Sequence, residues 1–367
     1  MSGAGLRIAF FGSSLVSAYW NGAATYYRGI IKALHARGHR VTFFEPDAYQ
    51  RQQHRDLAAP DWASSVVYDP TEAAALACLE RAARFDVVIK ASGVGVLDDL
   101  LEREVARLSG SGRQVVYWDV DAPATLERMQ GDLADPLRAL VPAFDIVLTY
   151  GGGPPVVEAY QALGARDCVP VYNGLDPESH RPARPESHWQ ADLSFLGNRL
   201  PDREARVEEF FLGAARRLPE RAFLLGGSGW EDKPLPANVR YAGHVYTGDH
   251  NAFNCTPLAV LNVSREGMAR FGFSPATRVF EAAGAGACII SDAWAGMDLF
   301  FEPAKEILAA ADGEEVASVL AGLDRGRARQ IGEMARRRAL AHHTYQRRAQ
   351  LVEAVLTGSG SPGSAAA

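Results

Sequence analysis

Apolar residues in this chain arrive in short runs, and between the runs they recur every three or four positions. Leu6 to Phe11 and Arg40 to Phe44 have the length and content of buried strands. They bracket a helical pattern from about Ala23 to Arg37, with Tyr27, Ile30, Ile31 and Leu34 on one face and Gly38 at its end. A strand, a crossover helix and a strand imply a parallel sheet with right-handed connection. The alternation continues, predicting strands near Ser65 to Tyr68, Asp86 to Ala91, Gln114 to Trp118, Asp145 to Thr149 and Cys168 to Tyr172. The clearest helices between them are Thr71 to Ala83 and Leu97 to Leu108. A second series gives strands at Leu193 to Leu196, Phe223 to Leu225, Val239 to Ala242, Leu258 to Val263 and Ala287 to Ser291. Repeated units of this kind build doubly wound α/β domains, whose ligands lie beyond the carboxyl ends of the strands.

The two series are separated by Asn173-Gly174, a tight-turn pair, and a polar stretch carrying Pro177, Pro182 and Pro185. The expected organisation is therefore an N-terminal α/β domain over 1–176 and a C-terminal one over 177–326, with a hinge near Asn173 to Pro185. A long helix from about Arg327 to Leu356 follows, then a Gly, Ser, Pro and Ala tail over 357–367 that reads as disordered.

Composition narrows the class. A chain of 367 residues can bury two full cores, and 47% hydrophobic with 22% charged residues is ordinary for a globular protein. A net charge of −6 gives no global attraction to nucleic acid or to an anionic membrane. No apolar run approaches the ~18 residues that a membrane span requires. Without a basic leader and cleavage site, the expected compartment is the cytoplasm. Cys78, Cys168, Cys255 and Cys288 are widely spaced, which predicts reduced packing residues and no zinc site or disulfide framework.

The stretch with the most chemistry is RFGFSPATRVFEAAGAGACIISD, Arg270 to Asp292. Ser274-Pro275 reads as a helix start and Gly284 and Gly286 as its end. Most of the side chains between are small or apolar, yet Ser274, Arg278 and Glu281 share one stripe. A carboxylate on so buried a helix needs hydrogen-bond donors. The two hydroxyls of a ribose would serve, and so would a simple Arg278–Glu281 pair on a solvated edge.

These residues resemble the donor-nucleotide helix of GT-B glycosyltransferases, most closely the RVFEA-type signature of the CgeB-like, spore-maturation-protein branch. The resemblance extends over most of the chain, including Asn173-Gly174-Leu175-Asp176 and Asp298 to Lys305 (DLFFEPAK). It implies two Rossmann-like domains facing a cleft, with the last helix able to cross back onto the first domain. It implies that Glu281 holds the ribose of a nucleotide-sugar donor. Retaining members usually carry a second glutamate eight residues earlier, where this chain has Phe273; Glu266 lies nearby at the wrong spacing.

Other positions acquire expected roles from the same resemblance. Gly197-Asn198-Arg199 and Arg203 are similar to the GRLxxxK diphosphate clamp, with Arg203 at the lysine position, Asn198 in place of the arginine and Arg199 one residue late. His244, after a strand, matches a nucleobase contact, and Gly22, before the first helix, a loop facing the diphosphate. Trp118-Asp119-Val120-Asp121 imitates the Asp-x-Asp metal site of GT-A enzymes, but the helix signature belongs to the other fold, which needs no metal. Asp119 or Asp121 is instead the candidate catalytic group facing the transferred sugar. The expected activity is metal-independent glycosyl transfer from a nucleotide-diphosphate sugar, with no cofactor. A nucleotide-sugar epimerase and an inactive nucleotide-sugar or glycan-binding protein are the rival readings.

Overall fold

The computed structural model of the chain describes residues 5–19 and 21–359; the part of the expected tail over 360–367 lies outside them. Two compact units emerge. The first takes the chain through Tyr172 and again from Tyr345 onward, and the second is Asn173–Thr344. The division falls four residues before the expected domain end at 176.

The first unit is a seven-stranded sheet of β1 (Arg7–Phe11), β2 (Arg40–Pro46), β3 (Ser64–Tyr68), β4 (Val87–Ala91), β5 (Gln114–Asp119), β6 (Ile146–Thr149) and β7 (Cys168–Pro170). Every neighbour pair is parallel, in the order β3-β2-β1-β4-β5-β6-β7. β1 sits between β2 and β4, with Ile8 opposite both Val41 and Val87. Strands covered on both faces are nearly continuous apolar runs, as in β4, where all five residues are buried and Lys90 is the one charged exception. Phe10 anchors one face, stacked on Phe43 at 5.2 Å and edge-on to Tyr27 at 5.3 Å.

The second unit has six parallel strands: β8 (Leu193–Leu196), β9 (Phe223–Gly226), β10 (Val239–Gly243), β11 (Ala259–Asn262), β12 (Ile289–Asp292) and β13 (Leu308–Ala310). Their order is β10-β9-β8-β11-β12-β13, so the direction of winding reverses between β8 and β11. In open α/β sheets that reversal is where ligands bind. β13 has only three residues and escaped the sequence pattern.

The expected helix over 327–356 is two helices, Arg325–His342 and Tyr345–Thr357. No proline or glycine marks the break. The backbone at 343–344 is instead engaged by Leu175, whose amide donates to the His343 carbonyl at 2.7 Å while Leu175 bridges Thr344. The His343 imidazole is buried against Phe280, Phe300 and Phe301, which fixes the kink. Beyond it, Tyr345 and Val352 join the core of the first unit.

Gly29, on the helix Ala24–Ala36, is what lets Tyr345 in: a Cβ there would lie 2.2 Å from the tyrosine ring. Gly29→Val is therefore expected to destabilise the first unit by roughly 1–3 kcal/mol through overpacking. Adding Tyr345→Ala should recover part of the loss in melting temperature. Additive losses in the double variant would show that the two residues do not compete for the same space.

Candidate functional site

The carboxyl end of β8 carries an unusual concentration of positive charge. The guanidinium carbons of Arg278 and Arg203 stand 5.2 and 5.6 Å from the centroid of one ring, Phe195. Arg203 comes from the helix Pro201–Val207, whose proline starts the first turn. Gly197 makes room for it, since a Cβ there would sit 2.8 Å from a guanidinium nitrogen and 3.1 Å from the Phe195 ring. Opposite, Gly227 at φ +114° permits the β9 turn to pass against the Gly197 carbonyl.

Neither cation is neutralised. Burial pushes the Arg278 guanidinium below its ordinary proton affinity, and the charge of Arg203 adds to the effect. Burial lowers Arg203 in the same way, with Arg265 contributing. Among the described residues neither makes an ion pair with a carboxylate, and the Arg203 Nε has no hydrogen-bond partner. The neighbouring Arg206 shows the contrast: it is paired at 2.7 Å with the fully buried Asp292. A guanidinium does not shed its proton near neutrality, so this pair favours an anion with several acceptor oxygens.

Glu281 lies on the helix Thr277–Ala285 with its side chain 17% exposed. The helix starts two residues later than the sequence suggested, with Ala276 at the cap position and Thr277 as its first residue. Ser274 does not cap it; its hydroxyl donates to the Gly272 carbonyl at 2.9 Å. Nor does Glu281 pair with Arg278 at ion-pair distance. Its neighbour is the buried His180, at 3.7 Å. Gly284 allows this approach, because a Cβ there would meet Leu175 at 2.4 Å and the His180 carbonyl at 2.8 Å.

His250 completes a group that the sequence did not suggest. Donor atoms of His180, His250 and Glu281 all lie within 4.8 Å of one another, although their positions are far apart in the chain. Two imidazoles and a carboxylate are zinc-type ligands, with bonds of ~2.0–2.2 Å. Closing on a metal would require the three side chains to draw together. His250 Nε2 is also 3.2 Å from the Val245 carbonyl, and burial holds its imidazole below the usual histidine range despite the opposing pull of Glu281.

The other expected donor residues fall in different settings. Arg199 is bound to Glu204 at 2.7 Å and Asp232 at 2.8 Å, so its charge is already met. Asn198 is a turn residue: its side-chain oxygen accepts from the Ser228 amide at 3.0 Å, and its carbonyl from Arg203 at 2.5 Å. His244 is exposed and packs edge-on to Tyr246 at 4.7 Å. In the first unit, Gly22 is exposed with open space around it; the loop is held instead by buried Asn21, bonded to Ser13, Ser14 and Ser17.

Asp119 is not placed to face a sugar. It is fully buried at the end of β5 and accepts bonds from Tyr160 (2.5 Å), Ser92 (2.7 Å), Thr125 (3.0 Å) and the Asp121 amide (3.1 Å). Burial raises its proton affinity against those donors. Asp121 is half-buried and lines a crevice beyond β4 and β5, together with Asp98, Asp99 and Glu102.

Residues 203–354, two-fifths of the chain, match the family model described as glycosyl transferase-like. No curated protein matches. Among solved structures, the sucrose-phosphate synthase of Thermosynechococcus elongatus superposes with a TM-score of 0.71 at 13% identity, over 96% of this chain and 99% of that one. HepE of Anabaena, crystallised with UDP-glucose, gives 0.67 at 15% identity, over 96% and 100%. An α-glucosyltransferase in complex with UDP-glucose and DNA containing an abasic site gives 0.68 at 13%, again over 96% and 100%. At these identities the likeness is one of fold, and the fold is GT-B: two parallel, Rossmann-like sheets.

The buried His250 makes a prediction about pH. Its folded proton affinity lies below the unfolded value of about 6.5, so below that pH the unfolded chain binds more protons. Its contribution to stability is complete above about pH 7.5 and declines as pH falls through 6.5. His250→Gln, which keeps a donor toward Val245, should flatten the melting-temperature profile between pH 7.5 and 5.5. An unchanged profile would place the titration on another group.

Proposed function

We propose that this chain is a glycosyltransferase of the CgeB-like branch, moving a hexose from a nucleotide-diphosphate sugar to an acceptor without a divalent metal. The observation that carries this reading is the pair Arg203 and Arg278, both over Phe195 and neither met by a carboxylate, at the winding reversal of the second sheet. A diphosphate satisfies both cations. As the bond to the sugar breaks, negative charge grows on the departing phosphate oxygens. Fixed guanidinium groups stabilise that charge without reorganising. Glu281 lies one helical turn beyond Arg278 and accepts the two ribose hydroxyls, with His180 holding the carboxylate in place. The family match over 203–354 covers these donor-side residues, and two of the structural relatives named above were crystallised with UDP-glucose. The donor and an acceptor are the expected partners, the cytoplasm the expected compartment, and nucleic acid is not required.

One observation favours a second reading, a nucleotide-sugar-binding protein without turnover. Phe273 occupies the place of the second glutamate and is held at φ +48°, its ring filling the space beside Gly296, where a Cβ would lie 2.1 Å away. Burst and steady-state assays with UDP-glucose separate the two readings: release of UDP supports the transferase, and binding alone supports the second.

Glu281→Ala removes two bonds to a charged acceptor, each worth about 1.5–3 kcal/mol. Affinity for the nucleotide-sugar should fall at least tenfold, since ~1.4 kcal/mol is one decade, while melting temperature changes little. Unchanged affinity with a lowered melting point would mean that Glu281 serves only His180. Transfer should also persist in EDTA. Activity abolished by the chelator and restored by manganese would overturn the metal-free assignment.

A further inference from the structure

His180, His250 and Glu281 come from three separate segments of the second unit, and each segment is tied to the next. The Asn251 side chain, beside His250, donates to the Ser179 carbonyl at 2.8 Å and accepts from the Arg181 amide at 3.2 Å. It therefore clamps the backbone on both sides of His180. At the far end of the helix His250–Cys255, the Cys255 thiol donates to the Ala285 carbonyl at 3.0 Å. That bond joins the helix of His250 to the helix of Glu281. Gly284 then lets the His180 backbone pack against the Glu281 helix.

The side chains placed in this way keep unused capacity. His180 is 7% exposed, yet its imidazole makes no hydrogen bond among the described residues. The Glu281 carboxylate, at 3.7 Å, is too far away for one. Buried polar side chains are usually bonded, so this ring awaits a partner. His250 Nε2 stands 3.2 Å from the Val245 carbonyl. A carbonyl only accepts, so that nitrogen carries the proton and Nδ1 keeps a lone pair. Metal-bound imidazoles are oriented by a bond of this kind from their second nitrogen.

The spacing is that of a site short of closure. In tetrahedral coordination, ligand atoms bonded at ~2.0–2.1 Å stand roughly 3.3 Å apart. The three donor atoms here lie within 4.8 Å of one another, so side-chain shifts of about 1 Å bring them onto one ion. Imidazole nitrogen selects zinc-type ions over magnesium, which prefers oxygen ligands and retains its water. Arg278, three residues before Glu281 on the same helix, sets its charge against any dication. That opposition favours an ion which imidazole binds strongly.

We infer that His180, His250 and Glu281 form a site for a zinc-type divalent ion, and that this ion excludes the ribose of a nucleotide-sugar donor. Two imidazoles and one carboxylate leave a fourth position to water. A Glu281 oxygen engaged by the metal is withdrawn from the ribose hydroxyls. The ion is thus an inhibitor, and no step of transfer runs through it. The exclusion rests on the proposed donor role of Glu281, whereas ion binding does not.

The test is calorimetric titration of the metal-free full chain with zinc chloride and with magnesium chloride, then with UDP-glucose in the presence and absence of zinc. One zinc should bind per chain, and magnesium should give no comparable signal. His180→Gln and Glu281→Gln should each weaken zinc at least about tenfold, since even an outer-sphere change costs that much. Circular dichroism melting of the metal-free variants checks that they fold, and His250→Gln serves if His180→Gln does not. Zinc should weaken UDP-glucose at least fivefold in the wild type and leave its affinity for the His250→Gln variant unchanged. Absence of zinc binding, equal binding of magnesium, or unchanged zinc affinity in the folded variants overturns the site. Zinc binding with undiminished UDP-glucose affinity overturns the exclusion. Zinc binding by a wild-type chain that does not bind UDP-glucose at all would instead overturn the glycosyltransferase reading and leave the metal site standing.

Discussion

Two like charges held against one aromatic ring are the constraint around which the second unit is arranged. Arg203 and Arg278 raise each other's energy, and burial removes the water that would screen them. Such an arrangement is stable only if the surroundings over-determine it. The ring face of Phe195 supplies a cation–π contact to both guanidinium groups. Gly197 supplies the volume, and the Asn198 carbonyl fixes one guanidinium nitrogen. Among the described residues no carboxylate is ion-paired with either guanidinium, so under the proposed function a diphosphate would relieve the repulsion between them. This is electrostatic preorganisation built from ordinary packing.

The adjacent carboxyl groups follow the same logic in reverse. Asp292 is buried but met by Arg206, two bonds from the Ser264 amide and its hydroxyl, so it is spent on holding the β11 and β12 ends together. Arg199 is likewise spent on Glu204 and Asp232. Subtracting these neutralised groups leaves Arg203 and Arg278 without a carboxylate ion pair among the described residues, and Glu281 beside His180. Residue type alone could not make that subtraction, because Arg199 and Arg203 look equivalent along the chain. Only the fold shows which one already has partners.

The strand–helix alternation was legible because strands buried on both faces must be apolar runs, and nearly every such run became a strand within a residue or two. The short β13 was not, since Leu308–Ala310 has too few residues to establish a pattern. The break between His342 and Tyr345 was hidden for a different reason. Nothing local interrupts the helix; a tertiary bond from Leu175 does. Ser274-Pro275 misled because the serine hydroxyl turned back to Gly272, leaving the helix to begin at Thr277. The group formed by His180, His250 and Glu281 was invisible on similar grounds, its members coming from three separated segments, with Gly284 admitting the His180 backbone.

Asp119 shows how a residue can matter to a site without touching a ligand. Its carboxylate joins Ser92 after β4, Thr125 on the helix Ala122–Gly131 and Tyr160 on the helix Gly153–Ala162. Ser92 in turn accepts from the Val120 amide at 2.9 Å. These bonds fix the two strand-end loops that flank the crevice and set where the backbone of Asp121 lies. A buried carboxylate with four donors is costly to replace, because removing it strands every donor at once. The Asp-x-Asp pair therefore differs by position: the first aspartate ties the loops together from inside, and the second, half-buried, lines the crevice beside them.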